Sequence, residues 1–275
     1  MPAGRRAGSS AVAPHGAQAV WRALAILGGF TDARPSWTLA ELAREQRLSK
    51  PTALRILSAL ELAGFVARSG PAGAYRLGTA AIELGARAQR ATSVSAAARP
   101  ELEWLARETG ETSSLEAFYL GETLILDEAH GHHLLGTAPS IGTHWPAHAT
   151  STGKVLLAAL RTGTLEPSQA AQARADAPLR RFTDRTITSR SALEAELDKV
   201  AEQGHASVVG ELESEFVAVG APVRNHLGQV VAALSVGGPA SRLRTEARQR
   251  CIRLVTQAAG RVSARLGFAA SPSRR

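Results

Sequence analysis

Cysteine, lysine and long apolar runs are scarce in this chain. Its 275 residues include one cysteine, Cys251, and three lysines. A single cysteine cannot form an intramolecular disulfide bond, and alone it cannot build a zinc site. Charged or polar residues interrupt every apolar run before it reaches the about 18 to 20 residues of a membrane span. Residues 1–14 lack the apolar stretch of a secretory signal. We therefore expect a cytoplasmic protein that does not enter the membrane.

Acidic residues are scarce only in the first third of the chain. Residues 1–91 hold 12 Lys and Arg but 5 Asp and Glu, whereas residues 92–275 hold 20 and 19. Nearly all of the formal net charge of +8 therefore lies in the first third. A general preference for arginine over lysine does not explain this asymmetry. The asymmetry favours a small unit that binds a polyanion and is attached to a nearly neutral domain.

Start and stop signals predict three helices near the N-terminus, after an arm of residues 1–15 that we expect to be disordered. Apolar residues recur at helical spacing in the first helix, which two glycines end. Thr38 and Glu41 fit the capping box of a second helix. Ser49 is a good N-cap for a third helix, which tolerates Pro51 in its first turn.

Two short β-prone runs follow the third helix on either side of a loop rich in glycine and proline, and they predict a hairpin. Together these elements make a winged helix-turn-helix domain, which we place at residues 16–78. Its third helix fits the major groove of B-DNA, and the first turn of that helix offers N–H groups to phosphate. The predicted DNA-binding residues lie at the helix starts and on the hairpin: Thr38, Ser49, Lys50, Thr52, Arg55, Arg68, Tyr75 and Arg76. A unit that serves only protein contacts is the alternative, which the concentrated basic charge disfavours.

The rest of the chain mixes helices and strands. Residues 79–92 are predicted to form a linker helix with Ile82 on its inner face. Residues 93–268 alternate strand candidates with amphipathic helices in an order that favours an α+β domain with a mainly antiparallel sheet. The Ser, Pro and Arg tail, residues 269–275, is expected to be disordered.

Several motifs follow one another in an order that resembles a known family. The first third carries LAELA at 39–43, LSKPTALRIL at 48–57, GFV at 64–66 and YRLG at 75–78. The remainder carries HATSTGKVLLA at 148–158, APVRN at 221–225 and ALSVGGP at 233–239. Over about residues 15–268 the chain resembles the isocitrate lyase regulator (IclR) type of bacterial transcription factor.

The resemblance implies a winged-helix DNA reader joined by a linker helix to a GAF/PAS-like effector-binding domain. It implies a ligand-responsive, sequence-specific transcriptional regulator, more often a repressor, of a bacterial metabolic operon. Its partners would be a palindromic double-stranded operator, a small-molecule effector, and further copies of itself in a homodimer or homotetramer. Carried over motif by motif, the effector-binding positions are Ser151, Thr152, Gly153, Val208, Ala218, Ser235 and Gly237.

Three of these positions depart from the pattern of some glyoxylate-binding members. Val208, Ala218 and Gly237 stand where those members have an acid, a cysteine and a second serine. The pocket is therefore expected to be less polar than theirs. That argues against a small oxo-acid and favours a larger or more apolar ligand.

Clustered histidines keep a metal site open as an alternative. His130 and His132 would share one face of a strand, and with His133 they could bind zinc. Gly131 favours a solvated turn instead, and no carboxylate lies at metal-ligand spacing. We expect no metal and no cofactor.

Two sequence motifs that would indicate an enzyme are present only in part. Residues 151–154 (STGK) lack the upstream glycine of a phosphate-binding loop, and we expect Lys154 to pack or pair at the surface. No G-x-S-x-G elbow surrounds Ser151 or Ser235, and Glu211 is typical of a solvated face. We expect no catalysis. The competing function is a small-molecule enzyme or a metal-dependent binding protein whose N-terminal unit only dimerises.

Overall fold

The computed structural model describes residues 17–31, 33–69, 73–91, 93–132, 141–173 and 178–268. The chain divides into two compact units, Met1–Ala91 and Thr92–Arg275. The two ends that are predicted to be disordered, residues 1–15 and 269–275, lie outside the described residues.

The described part of the N-terminal unit contains four helices and a small sheet. The helices are α1 (Gln18–Gly28), α2 (Leu39–Glu45), α3 (Lys50–Leu62) and α4 (Thr79–Ala91). The strands are β1 (Ser36–Trp37), β2 (Val66–Ser69) and β3 (Ala74–Leu77), antiparallel in the order β1-β3-β2. The predicted helices and hairpin are confirmed. Strand β1 was not predicted, because two residues are too few to show an alternating pattern.

A small core holds the winged helix together. It consists of apolar side chains from the helices and strands: Ile26, Phe30, Trp37, Leu42, Leu57, Val66 and Tyr75. Fully burying one such side chain contributes about 1.5 to 3 kcal/mol, so this cluster fixes α2 and α3 on the sheet. The prediction of an inner face on the linker helix is wrong at Ile82, whose side chain is 71% exposed in the single chain.

Among its described residues, the second unit contains five helices and a six-stranded sheet. The helices are α5 (Ser93–Thr109), α6 (Ser151–Arg161), α7 (Pro167–Ala170), α8 (Arg190–Gln203) and α9 (Thr245–Arg265), with a 3-10 turn at Ala147–Ala149. The strands are β4 (Thr112–Tyr119), β5 (Glu122–Ala129), β6 (His144–Pro146), β7 (Ala206–Val209), β8 (Phe216–Arg224) and β9 (Val230–Pro239). They are antiparallel in the order β6-β5-β4-β9-β8-β7. The predicted α+β class with an antiparallel sheet is confirmed.

The two faces of this sheet carry separate cores. On one face, α5 and α9 pack through side chains such as Leu102 and Val255 against Leu234. On the other face, α6 and α8 pack through side chains such as Leu156 and Leu197. Side chains alternate along a strand, so successive residues of β8 and β9 serve different layers. Within the described residues, no helix is both long and apolar enough to cross a membrane.

Candidate DNA interface and ligand site

The start of α3 is built as the sequence predicts. Ser49 is extended (φ −66°, ψ 146°), and its Oγ accepts a hydrogen bond from the Thr52 backbone N–H at 3.4 Å. The hydroxyl oxygens of Ser49 and Thr52 lie 2.8 Å apart. Pro51 occupies the first turn, where a missing N–H costs nothing. The cap fixes the direction in which the first turn of α3 presents its side chains.

Two cations lie on this exposed turn and on the turn that follows. Lys50 and Arg55 are exposed, and Arg55 lies three residues after Thr52, on the same side of the helix. Neither forms an ion pair with any residue that the structure describes. The positive end of the helix dipole adds to their charge. The arrangement suits phosphate oxygens and the acceptor edge of guanine.

Thr38 positions α2 through its hydroxyl group. Its Oγ1 donates to Glu41 Oε2 at 2.7 Å and accepts from the Glu41 backbone N–H at 3.3 Å. Hydrogen bonds from the backbone and the side chain of Thr38 lower the pKa of Glu41. The predicted capping box is therefore present, and a DNA contact by Thr38 stays a prediction.

The hairpin presents Arg68 and Arg76 but buries Tyr75. The Tyr75 side chain is 1% exposed and packs in the core of the unit, so its assignment as a DNA-binding residue is wrong. Tyr75 faces Arg68 across β2 and β3, and the guanidinium carbon lies 4.8 Å from its ring centroid. Arg68 also pairs with Glu61 at 3.3 Å. Tyr75 thus supports the wing from beneath.

Two further arginines near α3 were missed by the sequence reasoning. Arg44 lies in the last turn of α2, and Arg47 occupies the turn before α3 with a left-handed backbone (φ 51°). Both side chains are exposed. The sequence could have indicated Arg47, because it lies in the short connection between two predicted helices. That connection faces outward in a helix-turn-helix.

The strand register brings together the residues predicted to bind a ligand. Ala218 lies opposite Val208 on one side and opposite Gly237 on the other. Ser235 lies opposite Gly220, in the adjacent row. Directly opposed residues point to the same face of a sheet, so these positions form one patch.

The N-terminus of α6 lies on this patch. A Cβ atom on Gly220 would be 3.2 Å from the Ser151 carbonyl carbon and the Thr152 nitrogen. Gly153 is more tightly constrained, because its Cβ would be 2.2 Å from the Ala147 carbonyl oxygen. Glycine at these positions allows close contact between the helix, the 3-10 turn and the sheet. Ser151 and Thr152 are therefore held next to the predicted strand positions.

A buried acid that the sequence reasoning missed lies beside these residues. Glu116 of β4 is 5% exposed, and its Oε2 accepts from Thr152 Oγ1 at 2.6 Å. Its Oε1 accepts from Ser114 Oγ at 2.8 Å, and Ser114 Oγ lies 2.8 Å from Ser235 Oγ. The expectation of a pocket less polar than that of the glyoxylate-binding members stays a prediction, and Glu116 adds a carboxylate on this side. The register of β4 and β9, which pairs Ser114 with Ser235, places Glu116 at this position. No local sequence pattern shows that register.

The other side of the patch is apolar. The Phe216 ring lies over Gly237, where a Cβ would be 2.6 Å from Phe216 Cζ and 3.5 Å from Ala218 Cβ. Val208 is 3% exposed and continues the same row. The site therefore has an apolar wall and a hydroxyl-and-carboxylate wall.

Lys154 and Glu211 form a buried ion pair next to this site. Lys154 is fully buried, and its Nζ lies 2.5 Å from Glu211 Oε1 and 3.4 Å from Glu196 Oε1. The expectations of a surface lysine and of a solvated Glu211 are both wrong. Burial raises the pKa of Glu211, and the Lys154 ammonium opposes that change.

The histidines do not come together at a metal centre in the described part of the chain. There, no group of three or more His, Cys, Asp or Glu side chains is placed to hold a metal ion. His130 lies 3.3 Å from a Glu128 oxygen. His133 lies outside the described residues, so its predicted place in the cluster stays open.

Comparison with known proteins supports both units. Residues 19–70 match the family model described as the IclR helix-turn-helix domain. Residues 86–264 match the one described as bacterial transcriptional regulator IclR, C-terminal. The first match covers most of the winged helix, up to strand β2, and the second covers the predicted ligand site.

Individual relatives agree over most of their length. The HTH-type transcriptional regulator KdgR of Escherichia coli is 31% identical over 230 residues, 84% of this chain and 86% of KdgR. The E. coli DNA-binding transcriptional repressor YiaJ is 30% identical over 258 residues, 93% of this chain and 90% of YiaJ. A crystal structure of an IclR homolog from Microbacterium hydrocarbonoxydans, complexed with 4-hydroxybenzoate, has a TM-score of 0.77 at 25% identity, covering 90% of this chain and 98% of that one. The predicted function of a DNA-binding regulator is confirmed. The chain belongs to the IclR family of bacterial transcriptional regulators.

Proposed function

We propose that this regulator reads its operator with the first two turns of α3 and changes its DNA affinity when a small molecule binds beside α6. The observation that carries the proposal is the pair of exposed cations, Lys50 and Arg55, that have no carboxylate partner among the described residues. Arg55 would read a base edge, and Lys50 and Ser49 would bind phosphate. Thr52, Arg68 and Arg76 would add contacts from the same helix and from the wing.

The active form would be a homodimer, or a tetramer made of two dimers, on a palindromic operator. One helix-turn-helix reads only a half-site, and a two-fold dimer places two such helices on successive turns of DNA. Large apolar side chains exposed on α1 and α4 support this form. Val20 and Leu24 of α1 are 61% and 57% exposed, and Ile82 and Leu84 of α4 are 71% and 57% exposed. Burial between two copies would remove this apolar surface from water.

The effector would bind between the start of α6 and strands β7, β8 and β9. The bound 4-hydroxybenzoate of the Microbacterium relative supports a small organic effector for this chain. Ser151, Thr152 and Ser235 supply hydroxyl groups there, and Val208 and Ala218 supply apolar surface. An effector shifts the DNA-binding equilibrium only by the difference between its affinities for the two states.

The outcome would be repression of a metabolic operon from the cytoplasm, without catalysis. The relative YiaJ is a DNA-binding transcriptional repressor, which supports repression. A hydrolase site is not supported, because the Ser235 hydroxyl bonds to Ser114 and no described histidine bonds to Ser151 or Ser235. The buried His148 ring bonds to the Arg180 carbonyl oxygen at 2.9 Å instead.

Footprinting on the intergenic DNA beside the gene for this chain tests the proposal. We expect two protected half-sites related by a two-fold axis, with centres about 10 bp apart or at a multiple of that spacing. An Arg55→Ala variant should lose both half-sites together. Protection of a single asymmetric segment would contradict the dimer, and no protection of any segment would contradict the proposed function.

A further inference from the structure

The ligand site contains one carboxylate whose charge nothing in the described structure neutralises. Glu116 is 95% buried, since its exposed fraction is 5%. Its two oxygen atoms accept one hydroxyl hydrogen bond each, from Ser114 and from Thr152. No Lys, Arg or His of the described ranges forms an ion pair with it. A buried carboxylate in this state still lacks a positive partner.

The buried cation on the neighbouring helix is already engaged elsewhere. Lys154 lies two residues after Thr152 on α6, but its ammonium group contacts Glu211 and Glu196. The start of α6 provides partial positive charge through its dipole, and the Thr152 hydroxyl brings Glu116 to that end. Glu116 thus lies beside the start of the helix, where it accepts from the Thr152 side chain. A second carboxylate there would be repelled by the first.

The hydroxyl groups around Glu116 are oriented by it. The Ser114 hydroxyl has one hydrogen, which goes to Glu116, so Ser235 must donate to Ser114 at their 2.8 Å contact. The Thr152 hydroxyl also donates its hydrogen to Glu116. These three hydroxyl groups therefore offer lone pairs rather than hydrogens to a ligand. A carboxylate has about four lone-pair sites, so Glu116 can accept further donors.

The following inference rests on the proposed effector site. We propose that the effector presents a cationic nitrogen to Glu116, in the form of a protonated amine or amidine, and that its apolar body contacts the opposite wall. An amidinium has two parallel N–H donors that match a carboxylate. The Phe216 ring and the side chains of Ala218 and Val208 form the surface for the apolar part. The negative charge of Glu116 then disfavours carboxylate ligands of any size.

Three probes of nearly the same shape test this inference: benzamidine, benzamide and benzoate, which are cationic, neutral and anionic. Their affinities for the full chain are measured by titration calorimetry and by the shift in melting temperature. We expect wild-type protein to bind benzamidine at least about tenfold more tightly than benzoate, with benzamide between them. In Glu116→Gln, which keeps the shape and removes the charge, the ratio should fall towards one. Glu202→Gln, an exposed acid of α8, should keep the wild-type ratio.

The outcomes separate this inference from the proposed function. Benzoate binding as tightly as benzamidine, an unchanged preference in Glu116→Gln, or no saturable binding of benzamidine would each overturn the inference. The wild-type ranking decides it even if the Glu116→Gln chain does not fold. The same preparations are titrated with intergenic DNA. If the DNA binds and the charge preference is absent, only the ligand class is wrong, whereas protein that ignores the DNA contradicts the proposed function.

Discussion

The basic side chains of the two units differ in what lies opposite them. In the second unit, Arg242 donates two hydrogen bonds to Glu111, at 2.5 and 2.6 Å. On α3, Lys50 and Arg55 have no such partner among the described residues. A cation without an internal partner keeps its attraction for a phosphate or a guanine edge. The Arg242–Glu111 pair stabilises the second unit, whereas Lys50 and Arg55 remain available to DNA.

Replacing Arg55 by alanine should weaken operator binding and relax its sequence preference. A good base contact contributes about 1 to 3 kcal/mol, so we expect affinity to fall by about fivefold to more than a hundredfold for each half-site. The melting temperature should not change, because the side chain is exposed. Fluorescence anisotropy with labelled operator measures the loss. The matched control is Arg253→Ala, which removes an exposed arginine from α9, and equal losses in both variants would contradict the assignment.

His148 links the stability of the second unit to pH. Burial lowers the pKa of this histidine, with smaller contributions from the charges of Lys154 and Arg190, while the bond to the Arg180 carbonyl opposes the change. The folded protein therefore binds the proton less tightly than the unfolded chain does. The free energy of unfolding should fall as the pH decreases from about 6.5, the ordinary histidine pKa, towards the lowered value.

A His148→Gln variant should flatten this pH dependence. One proton changes the slope by at most about 1.4 kcal/mol per pH unit. Urea unfolding between pH 7.5 and 5.5 measures the slope in wild type, in His148→Gln and in His226→Gln, where an exposed histidine is replaced. We expect only His148→Gln to have a shallower slope. The same slope in all three proteins would show that His148 does not control it.

At the level of elements, the close contact between α6 and the turn before it determines the geometry of the ligand site. Gly153 faces backbone atoms of Ala147, which cannot rotate away as a side chain could. The Thr150 hydroxyl accepts from the Gly153 N–H at 3.2 Å and begins the helix. Thr152 is then placed to reach Glu116. The position of the helix start thus depends on one missing Cβ atom.

Gly153→Ala should destabilise the second unit and weaken ligand binding. The added Cβ would be 2.2 Å from a carbonyl oxygen, so the turn and α6 must separate, at a cost of about 1 to 3 kcal/mol. Gly260→Ala is the matched control, because that helical glycine of α9 has open space around its Cβ position. The control should gain about 1 kcal/mol from helix propensity. Urea unfolding distinguishes the two, and a Gly153→Ala chain as stable as wild type would refute the close contact.

Sequence patterns predicted the elements whose signals are local. The capping box of Thr38 and Glu41 and the N-cap at Ser49 depend on residues three apart, and both are present. Tyr75 was misassigned because alternation in a four-residue strand does not tell which face is buried. Glu116 was missed because it meets Thr152, 36 residues away, through the register of the sheet. Local signals therefore predicted helix α3, whereas the buried carboxylate beside the proposed ligand site required the tertiary structure.

At the level of the whole molecule, charge separates the two tasks. The first unit, residues 1–91, carries 12 of the 32 basic residues but only 5 of the 24 acidic ones, and the second unit is nearly neutral. Excess cations attract DNA through the release of bound counterions, which makes affinity fall with salt. In the second unit, Lys154 and Glu211 neutralise each other as a buried ion pair.

The affinity of the full chain for its own intergenic DNA, measured against salt concentration, tests the central claim most directly. We predict a linear fall of log K with log[salt], with a slope of about −0.9 for each phosphate neutralised. The slope should be shallower in a Lys50→Ala/Arg55→Ala variant, and a scrambled duplex should bind more weakly than the intergenic one. Affinity that does not change with salt, or that is equal for wild type and the double variant on both duplexes, would contradict a DNA interface built on α3.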